Sequence, residues 1–219
     1  MPRTRVKICG IKDVDSALAA SDAGADAIGL VFVSKSPRCV TMEEAEKIIG
    51  ALGPFVEPVA LFCDAPTERV ISMTHELGIH TIQLHGNEPI SYVNYLEPSA
   101  HQVIKAMAAT TDLDVMLWLE QCANLSAILL DTPPAKDATL TGGSGETFDW
   151  SAFSPDARHG WPATILAGGL NPANVGDAIR AMRPYAVDVS SGVEATRGVK
   201  DVQLIHDFCA AVRKADESS

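Results

Sequence analysis

Reactive side chains in this sequence stand at the ends of short β-branched runs, where the chain leaves a strand. The first run closes on Cys9-Gly10, the second leads into Ser36-Pro37-Arg38, and the fourth closes on Gln83-Leu84-His85-Gly86. Further along come Leu130-Asp131, then Gly168-Gly169, then Ser190-Ser191-Gly192-Val193-Glu194. A thiol and a carboxyl differ in proton affinity, so Cys9 and Asp131 on either side of one substrate suit proton removal at one atom and delivery at another. A cysteine is a base only as thiolate, which asks for a pKa lowered toward neutrality. Lys7 lies two residues back, on the same face of an extended chain, and is placed to supply the charge, shared with Asp188. The plain alternatives are a buried inert thiol and a capping carboxylate.

Arg38 has a fork that matches a carboxylate bidentately, if the substrate carries one; otherwise it is a surface arginine in a Ser-Pro-Arg turn. His85 is either a ligand contact or hydrogen-bonded structure. Gly168, Gly169, Ser191 and Gly192 offer close backbone approach and free N–H groups, the chemistry of a phosphate cradle, against the alternative of ordinary turns. Cys39, Cys63, Cys122 and Cys209 read as packing, and Asp64 as a cap ahead of Pro66. The five cysteines are scattered and lack C-x-x-C pairs, and the six histidines show no ligand spacing, so neither a metal nor a cofactor is expected and the setting is a reducing, cytoplasmic one.

Eight strand runs position these groups: Val6–Cys9, Ala27–Val33, Val56–Phe62, Thr81–Leu84, Val103–Lys105, Ala127–Asp131, Ala163–Ala167 and Ala186–Val189. Helical segments begin near Asp13, Thr41, Pro66, Pro89, Asp112, Phe148, Pro172 and Asp201. Thr41-Met42-Glu43-Glu44 spells a capping box. Proline in Ala65-Pro66 and Asn171-Pro172 suits a first helical turn, and Gly24 and Gly78 stop helices ahead of strands. Eight such alternations without a composition break give a single (β/α)₈ barrel over residues 1–219, or a long doubly wound sheet. Closure is favoured because the end strands are short and not polar, and no G-x-G-x-x-G follows the first. The longest loop is Thr132–Thr147, and the polar tail 214–219 is expected to fray.

A barrel of this kind carries its active site at the carboxyl ends of its strands and commonly binds phosphate after strands seven and eight. Strands one and six are separated around the ring by those two strands alone, so Cys9 and Asp131 face each other over the phosphate floor. The net charge of −11 argues against nucleic acid. No apolar run reaches the roughly 18–20 residues of a membrane span, and no signal peptide opens the chain.

Together these residues resemble the phosphoribosylanthranilate isomerases. The likeness rests on Lys7-Ile8-Cys9-Gly10, Gly29–Phe32 followed by Ser36-Pro37-Arg38, Gln83-Leu84-His85-Gly86 and Leu130-Asp131. It continues through Gly142-Gly143-Ser144-Gly145, Phe148-Asp149-Trp150, Leu166-Ala167-Gly168-Gly169-Leu170, Val187 to Glu194 and Gly198-Val199-Lys200-Asp201, in the family's order from about residue 5 to 212. Lys12 and Ser144 depart from residues common in the family.

The resemblance implies a cofactor-free Amadori rearrangement of phosphoribosyl anthranilate, the small-molecule substrate, in tryptophan biosynthesis. It implies Asp131 as acid, Cys9 as base, Arg38 on the anthranilate carboxylate, and Gly168, Gly169, Ser191 and Gly192 on the phosphate. Asp188 then contacts the sugar hydroxyls or orients the site. A monomer or homodimer is expected. The competing readings are the related histidine-pathway sugar-phosphate isomerase, which has aspartate where Cys9 stands, and a non-catalytic sugar-phosphate-binding barrel, which would lose the acid or the base.

Overall fold

The computed structural model describes residues 3–96, 102–110, 115–122, 125–133 and 147–218. Eight parallel strands close into a barrel in sequence order, β1 pairing with both β2 and β8. They are β1 (Arg5–Cys9), β2 (Ala27–Val31), β3 (Glu57–Phe62), β4 (Thr81–Leu84), β5 (Gln102–Ala108), β6 (Leu125–Asp131), β7 (Ala163–Leu166) and β8 (Ala186–Val189). The doubly wound alternative is thereby ruled out.

Alternation along each strand sorts side chains into two layers. One set, including Ile8, Ile28, Phe62, Ile82, Ile128 and Val187, packs outward against the helices. The other includes Val59, Ile104, Ala106, Leu129, Ile165 and Ala167 and fills the barrel itself, so the lumen is packed and the open space lies above it. Cys9, Val31 and Leu61 form a small apolar layer of their own near the strand ends.

The helices are α1 (Val14–Asp22), α2 (Met42–Ala51), α3 (Thr67–Leu77), α4 (Ile90–Leu96), α5 (Val115–Gln121), α6 (Val175–Met182) and α7 (Val202–Glu217). The Thr41 capping box on α2 is complete, and Gly78 ends α3 in the left-handed region at φ 65°. The prolines sit differently from expectation. Pro66 is the N-cap of α3 and makes no side-chain cap, while Pro172 lies in a turn before α6, whose N-cap is Asn174. Asp64 caps no helix: its φ is 51° and its Oδ1 accepts from Asn87 N at 2.7 Å, tying the loop after β3 to the loop after β4.

No α-helix begins at Phe148. Two 3₁₀ turns stand there, Trp150–Phe153 and Asp156–Arg158. Asp149 starts the first by accepting from Ser151 N at 3.0 Å, but Pro155 cannot extend it, and Phe148 packs edge-on against Phe153 with ring centroids 5.5 Å apart. Nor does the tail fray at Lys214: α7 runs to Glu217, with Ala215 buried and Asp216 accepting from Thr4 N at 2.8 Å and Thr4 Oγ1 at 2.7 Å. The expected helix start at Asp112, the glycine cluster 142–145 and most of the loop after β6 lie outside the described residues.

Candidate active site

A cavity opens at the carboxyl ends of the strands, and eight of the nine site residues anticipated from sequence line it: Cys9, Arg38, His85, Asp131, Gly168, Gly169, Asp188 and Ser191. Gly192 is absent from its wall. A Cβ there would lie 1.9 Å from Leu170 O, so Gly192 instead lets the loop after β8 pack on the loop after β7.

Lys7 and Asp188 face each other in register across β1 and β8, and their side chains meet at 2.7 Å, both buried. Cys9 lies one pleat above Lys7. A Cβ on the neighbouring Gly29 would stand 2.8 Å from Cys9 Sγ and 3.1 Å from Lys7 Nζ, so the missing side chain on β2 makes room for thiol and amine together. The thiol is not lowered toward neutrality as expected. Burial pushes it above the ordinary thiol value; Lys7 and Lys200 pull it down and Asp188 pushes it further up, and burial prevails.

Arg38 reaches the cavity through a second glycine. Gly10 has φ +80° and a Cβ there would meet Arg38 Cδ at 2.6 Å, so the arginine stem crosses directly over the turn after β1. Its fork is engaged by Glu194, with Nε to Oε1 at 2.6 Å and Nη2 to Oε2 at 3.0 Å. Glu194 also accepts from Gly198 N at 3.0 Å and Lys200 Nζ at 3.1 Å. Burial works against its ionised form, yet these donors hold its carboxyl below the usual range. The hairpin β9 (Glu194–Thr196) and β10 (Val199–Lys200) thus acts as a bracket for Arg38, with Glu194 engaging Nε and Nη2 but not Nη1. Sequence reasoning quoted Glu194 and Lys200 but gave them no part. The signal available was a glutamate and a lysine six residues apart, flanking a glycine turn just after the last barrel strand.

Asp131 closes β6. Its Oδ1 accepts from Thr132 N at 2.8 Å, and its Oδ2 lies 3.2 Å from His85 Nε2. Gln83, fully buried on β4, holds the other side of the ring, with its Nε2 3.0 Å from His85 Nδ1. Behind His85, buried Glu88 accepts from Asp64 N at 2.8 Å and Gly86 N at 3.0 Å and pairs with Lys105 Nζ at 2.7 Å. That network fastens the loops after β3 and β4 to β5, and no run of sequence announced it.

Gly168 and Gly169 both have positive φ, +80° and +61°. Their turn is ordered from below by Asn171 and Asn174: Asn174 Oδ1 accepts from Asn171 N at 2.8 Å, and Asn174 Nδ2 donates to Gly169 O at 2.9 Å. Ser190 lines the same cavity, and its Oγ is buried without a partner among the described residues. Cys63, read from sequence as packing, is half-buried and also lines the wall.

A closed (β/α)₈ barrel with thiol, carboxyl, imidazole and guanidinium gathered over paired glycine turns defines a barrel enzyme. Residues 6–211 match the family model for N-(5'-phosphoribosyl)anthranilate (PRA) isomerase. The N-(5'-phosphoribosyl)anthranilate isomerase of Hahella chejuensis is 43% identical over 217 residues, covering 98% of this chain and 97% of that protein. The crystal structure of phosphoribosyl anthranilate isomerase from Thermotoga maritima superposes with a TM-score of 0.82 at 40% identity, covering 96% of this chain and 99% of the other. A further phosphoribosyl anthranilate isomerase, solved in complex with reduced 1-(o-carboxyphenylamino)-1-deoxyribulose 5-phosphate, is 37% identical with a TM-score of 0.79 over the same shares. The chain belongs to the N-(5'-phosphoribosyl)anthranilate isomerase family, and it is an isomerase.

Proposed function

We propose that this chain, working as one barrel domain, rearranges N-(5'-phosphoribosyl)anthranilate with Asp131 as acid and Cys9 as base. The reaction is the Amadori isomerisation of tryptophan biosynthesis, giving 1-(2-carboxyphenylamino)-1-deoxyribulose 5-phosphate. Asp131 gives its proton to the furanose ring oxygen, the C1′–O bond breaks, and a Schiff base forms. Cys9 takes the proton from C2′, and the enolamine tautomerises to the ketone. Gly168, Gly169 and Ser191 hold the phosphate by backbone N–H groups, with Gly192 setting the clearance between the two loops. Asp188 pairs with Lys7 and orients the base, and His85 orients the acid.

The observation that carries this reading is that one cavity presents Cys9 and Asp131 together with both glycine turns. The solved relative whose ligand keeps the carboxyphenylamino and phosphate groups supports it further. All five cysteines are free thiols, which supports a cytoplasmic setting, and among the described residues no helix is long and apolar enough to cross a membrane. The site residues named come from one chain, so a monomer or a homodimer serves equally. Purified protein given N-(5'-phosphoribosyl)anthranilate should remove its anthranilate-type fluorescence; failure to do so overturns the reading.

Arg38 is assigned to the aromatic carboxylate through the Nη1 edge that Glu194 leaves open. A charge-assisted bidentate contact contributes about 1.5–3 kcal/mol, so Arg38→Ala should raise KM by about 10- to 100-fold and lower kcat less. A substrate analogue without the carboxylate is the control, since the mutation should cost its binding little. Equal losses for both ligands would make Arg38 simply the anchor of the hairpin.

A further inference from the structure

The surroundings of Asp131 are at odds with an acid's task. Thr132 N–H can only donate to Oδ1, at 2.8 Å. If His85 Nε2, 3.2 Å from Oδ2, also carries a hydrogen, both oxygens accept, which suits a carboxylate and opposes a carboxyl about to give up a proton. Gln83 decides which nitrogen carries that hydrogen. Its Nε2 lies 3.0 Å from His85 Nδ1, and its Oε1 is buried without a partner among the described residues.

An orphaned carbonyl inside a barrel needs a reason. Turning the Gln83 amide by half a rotation exchanges Oε1 and Nε2 without changing the shape of the side chain. One amide atom meets His85 in either pose, so the exchange keeps that hydrogen bond. In the first, the amide N–H donates to Nδ1, the ring carries its hydrogen on Nε2, and Nε2 donates to an ionised Asp131. In the second, Nδ1–H donates to the amide oxygen and Nε2 accepts from a protonated Asp131.

We propose that Gln83 and His85 form a tautomer switch that accommodates Asp131 with its proton and without it. This rests on the reading of Asp131 as the acid. Between the two states the pair gains or loses one proton, carried on Asp131. The ring keeps a single hydrogen throughout, released from one nitrogen and regained from water at the other. Both residues are positioning residues, acting through Asp131.

Of the other charged groups nearby, Arg197 also lines the cavity, and the rest are paired. Glu88 pairs with Lys105 of β5, Lys7 with Asp188, and Arg38 with Glu194, while Asp64 accepts from Asn87 N at 2.7 Å. Burial raises the Cys63 and Cys9 thiols above the ordinary thiol value. From the β7 side, Gly168 brings only backbone.

Imidazole ¹⁵N resonances of the wild-type enzyme, followed with the Asp131 carboxyl ¹³C signal, test the switch directly. As pH falls through the Asp131 titration, the His85 hydrogen should move from Nε2 to Nδ1. A ring that stays Nε2–H throughout, or that takes up a second proton to become imidazolium, overturns the proposal. Gln83→Met supplies the kinetic counterpart. Methionine in Gln83's place offers Nδ1–H no acceptor there, so the Nε2–H tautomer gains and favours the carboxylate, and Asp131 loses its proton at lower pH. The alkaline limb of kcat should move down by about one pH unit, with KM within about twofold. An unmoved limb overturns it. An Asp131→Asn variant of normal kcat would instead defeat the acid assignment itself; an inactive one beside an unmoved Gln83→Met limb defeats the switch alone.

Discussion

Cys9→Ser is expected to lower kcat by at least about 100-fold, the lower end of what a positioned base contributes, while KM changes little. Serine keeps the shape that fits over Gly29 beside Lys7, so packing is preserved and the titratable group alone is lost. The sign of the pH dependence follows from the thiol's surroundings. Its base form exists only above its pKa, and burial lifts that value above the ordinary thiol range despite Lys7 and Lys200. The pH profile of the wild type should therefore carry a thiol ionisation above the ordinary thiol value, and Cys9→Ser should remove it. Steady-state kinetics across pH checks both; near-wild-type kcat in the serine variant would remove Cys9 from the reaction.

Asp131→Asn is expected to cost at least about 100-fold in kcat as well, because opening the ring requires a proton that an amide cannot transfer. An acid works in its protonated form, so activity falls as pH rises through its titration; the asparagine variant should lose that alkaline limb. Asparagine keeps an acceptor for Thr132 N, now 2.8 Å from Oδ1, and the size that fits against Gly168, so affinity for a product analogue should stay within a few-fold. A profile that keeps its alkaline limb would move the acid elsewhere, with Asp188 the next carboxyl on the cavity wall.

What the sequence made visible was local. Strand runs ending in Cys9 and Asp131 were readable because period-two alternation and the strand order around a barrel fix which tips share a face. The Thr41 box and the Gly78 stop were readable because each is settled within four residues. Long-range partnerships were not. Arg38 and Glu194 are 156 residues apart, and only the hairpin's return over the turn after β1 joins them. The β6-to-β7 connection failed for another reason: aromatic packing and Pro155 override a helical pattern that reads well on its own. Gln83 and Lys105 left a faint mark, each a polar residue between apolar neighbours in its strand, and that mark distinguishes a buried network from a solvent face only when the barrel's interior is known.

Gly168 bears on how freely such a barrel can vary. Barrel loops are often treated as exchangeable parts on a fixed frame, but a Cβ at this position would lie 2.2 Å from Thr132 Oγ1 and 2.9 Å from Asp131 Oδ1, in a left-handed backbone besides. The turn after β7 and the tip of β6 therefore occupy one shared volume. A loop transplanted after β7 displaces the carboxyl of the neighbouring strand unless it brings the same bare backbone, so modularity ends here. A lineage reshaping this turn for a different anion would have to rebuild the tip of β6 in the same step.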